Sequence, residues 1–210
     1  MQKNNCPTVY RQELRERILN ASMEEFRKHG VRAVKMDDIA SKLAISKRTL
    51  YEIYANKETL LLEGIKLCEE RFDIHMGDYV EKGGHNVIET IIEFYKMHIR
   101  DSADANPLFY EELHRYPGVL AFFEDKHKAR REKQMQFFQR GVGEGFFRKD
   151  VDYGIMSRVA EASMNFVMRT QMYREYKLNY IIHNLILLYV RGICTEEGVR
   201  MLDEALERYE

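Results

Sequence analysis

The stretch KMDDIASKLAISKRTLYEIYANKETLL, residues 35–61, decides how this 210-residue chain folds. Its first piece sets Met36, Ile39, Ala40 and Leu43 at helical spacing on one face, which predicts a helix over 36–43. Ala44-Ile45-Ser46 breaks that period. Ser46 then offers an N-cap for a second short helix, SKRTLYEIY, because its hydroxyl can accept a free backbone N–H of the first turn. Neither piece is long enough to be stable alone in water, so the two must share a small core. Two short helices joined by a tight turn make a helix-turn-helix. In that motif the second helix lies in the DNA major groove with its N-terminal residues toward base edges. Here those residues are Lys47, Arg48 and Thr49, two cations and a hydroxyl.

The flanks extend the pattern. ILNASMEEFRKHG, residues 18–30, ends a first helix at a glycine, and NKETLL, residues 56–61, opens a fourth helix behind an Asn56 cap. With Gly30, Ile39-Ala40, Ser46, Thr49-Leu50-Tyr51 and Lys57-Glu58-Thr59-Leu60 in this order and spacing, the segment resembles the N-terminal domain of TetR-type transcriptional regulators. The resemblance implies an all-α fold of nine to ten helices. Residues 1–56 are expected to form a three-helix DNA-binding domain and residues 57–210 a helical effector-binding and dimerisation domain. The chain departs from the pattern at Lys35 (usually Thr or Ser), Ala44 (usually Gly), Arg48 (often small) and Ile53 (commonly aromatic or His).

The DNA-binding candidates are Lys35, Ser46, Lys47, Arg48, Thr49, Tyr51, Tyr54 and Lys57. A hydroxyl, a phenol or an ammonium can each bond a phosphate oxygen, a contact that sets register without reading sequence. Thr49, Tyr51 and Lys57 fit that role, and by resemblance they stand where the family often makes such contacts. Lys57 also sits near a helix start, where free N–H groups favour an anion. Lys47 and Arg48 are the candidates for base edges, Arg being able to contact guanine with two donors. Position alone leaves base and phosphate open for both, and a solvated surface role for the others. Ile39, Ala40, Leu43, Ile45 and Leu50 read as core.

Charge agrees with this placement. The net charge of −1 hides 12 Lys+Arg against 8 Asp+Glu in residues 1–60 and 21 against 26 in the rest. A basic end on an acidic remainder confines phosphate attraction to one part of the molecule. Cys6, Cys68 and Cys194 are far apart, form no C-x-x-C pair and read as reduced thiols, which with the absence of a signal-peptide pattern points to a cytoplasmic protein. The most apolar run, YIIHNLILLYV (180–190), is about half the length a bilayer requires and contains His183 and Asn184, so no membrane partner is expected.

After the first 60 residues, helices are expected from Asn56 to Tyr79, Asn86 to Arg100, Leu108 to His114, Val119 to Val142, Asp152 to Tyr173, Lys177 to Arg191 and Glu196 to Arg208, with Gly192 separating the last two. The run from Tyr180 to Val190 is apolar nearly all round, which calls for burial beyond its own domain's core. By resemblance, the last-but-two and last-but-one helices pair with their copies in a homodimer, with Ile155, Val159, Phe166, Ile182, Leu185, Ile186 and Tyr189 at the interface. The resemblance also implies an apolar pocket for a small-molecule effector of unknown identity. Its candidate lining is Phe94, Met97, His98, Phe109, Tyr110, Phe122, Met164 and Met168, though ordinary core packing is the favoured reading of each.

The expected function is sequence-specific binding of double-stranded DNA, with a palindromic operator, by a dimeric repressor released by an effector. The alternative is a constitutive DNA-binding factor with no effector. An enzyme is not expected. Glu111 and His114 share a helix face at i, i+3, but no second Glu-x-x-His pair or nucleotide fingerprint accompanies them, so neither a metal nor a cofactor is called for.

Overall fold

A computed structural model describes residues 9–103 and 105–208. Among the described residues ten α-helices follow one another: α1 Val9–His29, α2 Met36–Lys42, α3 Lys47–Ile53, α4 Lys57–Lys82, α5 Val87–Ala103, α6 Pro107–Leu113, α7 Pro117–Gly143, α8 Tyr153–Arg169, α9 Leu178–Ile193 and α10 Glu196–Glu207. Among the described residues the only β pairing is one antiparallel bridge, Phe147 with Cys194. No helix among them is long and apolar enough to cross a membrane. Cys6 lies outside the described residues.

The chain divides into two compact units. Of the described residues, those within Met1–Arg71 and Asn106–Phe122 form the first, and those within Phe72–Ala105 and Phe123–Glu210 the second. By packing, then, the first unit takes in more than residues 1–56. It adds the first half of α4, all of α6 and the start of α7.

In the first unit Ile18, Phe26, Val31, Ile39, Leu50, Leu60 and Leu61 are buried, so α1 to α4 share one small core. This is what allows the seven-residue α2 and α3 to persist. Gly30 ends α1 in a left-handed conformation (φ 83°) that only glycine adopts without cost, and its N–H donates to Phe26 O at 2.9 Å. Gly64 lets α4 approach α1, because a Cβ there would come within 2.5 Å of Met23 Sδ. Lys42 Nζ ties α2 to α1 through Glu24 (3.0 Å) and Glu25 (2.7 Å).

In the second unit Val87, Ile88 and Ile92 of α5 meet Val190 and Ile193 of α9 and Leu202 of α10 around Phe147. The Phe138 ring stacks on Tyr153 at 4.5 Å. Two boundaries differ from the sequence expectation. α8 stops at Arg169, where Gln171 turns left-handed (φ 56°) into a single 3-10 turn, Met172–Arg174. Gly192 lies inside α9, and the break falls at Cys194 instead, because Thr195 caps α10 by accepting the Gly198 N–H at 3.2 Å. A glycine inside a helix costs only about 1 kcal/mol, so it does not by itself end one.

Candidate nucleic-acid interface

The start of α3 is set by its cap. Ser46 Oγ accepts the Thr49 N–H at 3.0 Å and lies 2.8 Å from Thr49 Oγ1. The turn before it bends through Ala44, which is left-handed (φ 53°), so that the Ile45 N–H reaches Ala40 O at 3.0 Å. Leu50 anchors α3 in the core, while Lys47, Arg48, Tyr51 and Glu52 are exposed. The Arg48 side chain is 88% exposed. Both candidate base-reading cations hold a carboxylate. Lys47 Nζ bonds Asp37 of α2, which keeps its ammonium firmly charged, and Arg48 Nε donates to Glu52 Oε1 at 2.8 Å. Lys35 is exposed at the start of α2. Its backbone N–H donates to Asp38 Oδ2 at 3.0 Å, and its ammonium, which has no acceptor, cannot cap the helix.

Two expected DNA contacts turn inward. Tyr54 is 1% exposed, with the Arg15 guanidinium 5.0 Å from its ring centre. Its hydroxyl has no hydrogen-bond partner among the described residues. Burial, with Glu63 adding to it and Arg15 opposing, pushes the phenol up to about 12. Tyr54 follows the last residue of α3 in an extended conformation (φ −129°, ψ 108°), and its ring joins the core. Buried there, its hydroxyl is not offered to a phosphate.

Lys57 is likewise not a free cation. Its Nζ donates to Val31 O at 2.8 Å, Val34 O at 3.0 Å and Arg32 O at 3.5 Å, one acceptor for each ammonium proton. Desolvation lowers its pKa, with the Glu112 carboxylate opposing. Carbonyls of the α1–α2 turn have claimed the charge that sequence reasoning assigned to phosphate. From α6, buried Glu112 accepts the Arg32 N–H at 2.8 Å through Oε2. The backbone N–H of Asn106 donates to Arg27 O at 2.7 Å. The turn that carries α2 into place is thus held by residues distant in sequence, and no local motif announces Glu112. Asp37 and Glu52 were also missed, although the i, i+4 spacing of Arg48 and Glu52 was readable.

A capped recognition helix with a cationic exposed face, locked on three helices, is the arrangement a major-groove reader needs. Residues 18–63 match the sequence model described as "Bacterial regulatory proteins, tetR family". That segment is a TetR-type DNA-binding domain by its match. It is 28% identical over 151 residues to the HTH-type transcriptional regulator UidR of Escherichia coli (strain K12), spanning 70% of this chain and 76% of UidR. It is 24% identical over 149 residues to the HTH-type transcriptional repressor KstR2 of Mycobacterium tuberculosis (strain ATCC 25618 / H37Rv), spanning 69% of this chain and 74% of KstR2. A transcriptional regulator from Saccharomonospora viridis, solved in complex with choline, shares the fold with a TM-score of 0.68 at 18% identity, over 88% of this chain and 100% of that one. The curated relatives are named as transcriptional regulators, not enzymes.

The candidate effector residues are split between the two units. Phe109, Tyr110 and Phe122 belong to the first, where Phe109 is buried and sits edge-on to Tyr110 at 5.2 Å. Phe94, Met97, His98, Met164 and Met168 belong to the second, where Phe94 and His98 gather on Phe72 at 5.9 and 5.6 Å. A shallow open groove in the second unit, lined by Gly145, Thr195, Glu196, Glu197 and Arg200, contains none of them.

The candidate interface residues also lie in the second unit. Ile155, Val159 and Phe166 are exposed, Ile155 by 62%. Ile182, Leu185, Ile186 and Tyr189 are half-buried, with Ile186 against the core and the Tyr189 hydroxyl 2.5 Å from Ser163 Oγ. Tyr180 and Leu188 of α9 are exposed as well, and the sequence reading placed neither at the interface.

Proposed function

We propose that this chain is a homodimeric repressor that binds a palindromic operator through two copies of α3 and leaves it when a small apolar or amphipathic effector binds the helical remainder. The observation that carries the dimer is the solvent-facing row Ile155, Val159, Ala162 and Phe166 on α8, at i, i+4, i+7 and i+11, beside exposed Tyr180 and Leu188 on α9. Fully burying a large apolar side chain is worth about 1.5–3 kcal/mol, so leaving such a row in water is costly, and a second copy removes the cost. A two-fold axis also presents two recognition helices to half-sites about 34–36 Å apart. The effector is supported by the Met and Phe side chains available in the second unit, and by a protein of the same fold solved with choline bound. Such a regulator works where the chromosome is, in the cytoplasm.

Selection of bound duplexes from a random-sequence pool tests the operator, and sedimentation of the purified chain tests the dimer. The expected results are an inverted repeat and a species of twice the 25.0 kDa chain mass. An asymmetric site bound by a 25.0 kDa species at micromolar concentration defeats the proposal. Operator affinity that no small molecule shifts saturably favours the constitutive factor.

A further inference from the structure

The charges of α3 stand at the wrong ends for the helix itself. Lys47 and Arg48 occupy its first turn and Glu52 its last, so each opposes the helix dipole, which favours anions at the start and cations at the end. The Arg48–Glu52 pair also runs cation first, the weaker order at i, i+4. Helix stability therefore does not account for Glu52. Its contact is specific in another way. Glu52 Oε1 takes Nε of Arg48, and among the described residues no other group bonds that guanidinium. The two terminal amino groups remain to donate, and an end-on pair of N–H donors matches guanine O6 and N7 in the major groove. An exposed Arg has many rotamers, and part of that freedom must be surrendered to make such a contact. A carboxylate one turn along that engages Nε restricts the rotamers beforehand.

We infer that Glu52 is the positioning residue for Arg48: by holding Nε it aims the terminal amino groups at a guanine, so that it sets base preference without having to touch that base. The inference rests on the reading of α3 as the helix that contacts base edges. The same carboxylate faces the phosphate-rich surface and weakens attachment to DNA of any sequence. Asp37 provides the comparison, since it also places a carboxylate on an exposed cation, Lys47, but a Lys ammonium is a point charge with no planar donor pair to aim.

The test uses the full chain and a pool of random-sequence duplexes, reading guanine preference at the position that Arg48→Ala erases. Glu52→Ala is expected to lower that preference about two- to fivefold, the range an exposed ion pair commands. Glu52→Gln, which keeps an oxygen for Nε, retains more of it. Asp37→Ala leaves the preference unchanged. All three strengthen binding to random DNA, and none shifts the melting temperature by more than about a degree or two, as expected for exposed positions. Preference lost in Arg48→Ala but kept in Glu52→Ala overturns the inference alone. Preference kept in both overturns it together with the base-edge reading of Arg48. In the Arg48→Ala background, Glu52→Ala has no further effect on base preference; a further loss means that Glu52 reads a base itself and overturns the positioning role.

Discussion

Replacing Lys57 with Met separates two roles that give opposite results. Met keeps most of the aliphatic stem and deletes the ammonium, leaving Val31 O, Val34 O and, at longer range, Arg32 O without their shared donor. A hydrogen bond to a charged group contributes about 1.5–3 kcal/mol, and two of the three are short. Water can reach a turn on the surface and recover part of the loss, so the net cost is about 2–4 kcal/mol. At about 2–4 °C per kcal/mol for a chain of this size, the melting temperature falls by roughly 5–15 °C. A phosphate contact predicts something else: near-normal stability, but a plot of log affinity against log salt that is shallower by about 0.9. Thermal unfolding by circular dichroism and operator binding at several salt concentrations, well below the melting temperature, distinguish the two. We expect the large fall in melting temperature and an unchanged salt slope. An unchanged melting temperature with a shallower slope refutes the clamp.

Ala44→Gly removes the cost of a left-handed alanine, about 1–2 kcal/mol, against about 0.5–1 kcal/mol for the freer unfolded glycine, so denaturant unfolding should show a gain of about 0.5–1 kcal/mol. Tyr54→Phe deletes a buried hydroxyl that bonds nothing among the described residues; stability should hold or rise slightly and operator affinity should stay at the parent value, whereas a loss of affinity returns Tyr54 to the interface. Burial holds the Cys194 thiol at about 11 and, as the larger of its causes, the Tyr54 phenol at about 12. Both groups keep their protons in the folded chain after the unfolded chain has lost them. The stability they contribute is therefore complete below pH of about 9 and falls as pH rises toward 12, and Cys194→Ala should flatten the earlier part of that fall in unfolding titrations.

The first three helices were legible because their signals are local. Ser46 caps, Gly30 stops, and Ile39, Ala40 and Leu50 fall on the buried face that the period predicts. Tyr54 and Lys57 defeated the same reasoning for a different reason. Each is a good phosphate ligand by type, but its fate is set by Arg15 or by the carbonyls of residues 31–34, which lie more than twenty positions away. Glu112 is 80 positions from the N–H it accepts, beyond any helical period. Near the other end, Gly192 looked like a stop because glycine is a weak helix former, yet the better capping chemistry of Thr195 moved the break to Cys194. On α8 the residues named by resemblance, Ile155, Val159 and Phe166, are exposed; on α9 exposed Tyr180 and Leu188 were not named, since a helix apolar all round does not reveal which side stays wet.

The seat of Glu112 on the α1–α2 turn bears on how regulators of this type are recombined. Splicing at residue 56 to graft this DNA-reading module onto a foreign effector domain leaves behind Glu112 and Asn106, which hold the Arg32 N–H and the Arg27 carbonyl. A hybrid joined there inherits a turn whose supports belonged to the donor. The transferable part is discontinuous, residues up to 71 together with 106–122, and a working chimera has to carry both pieces.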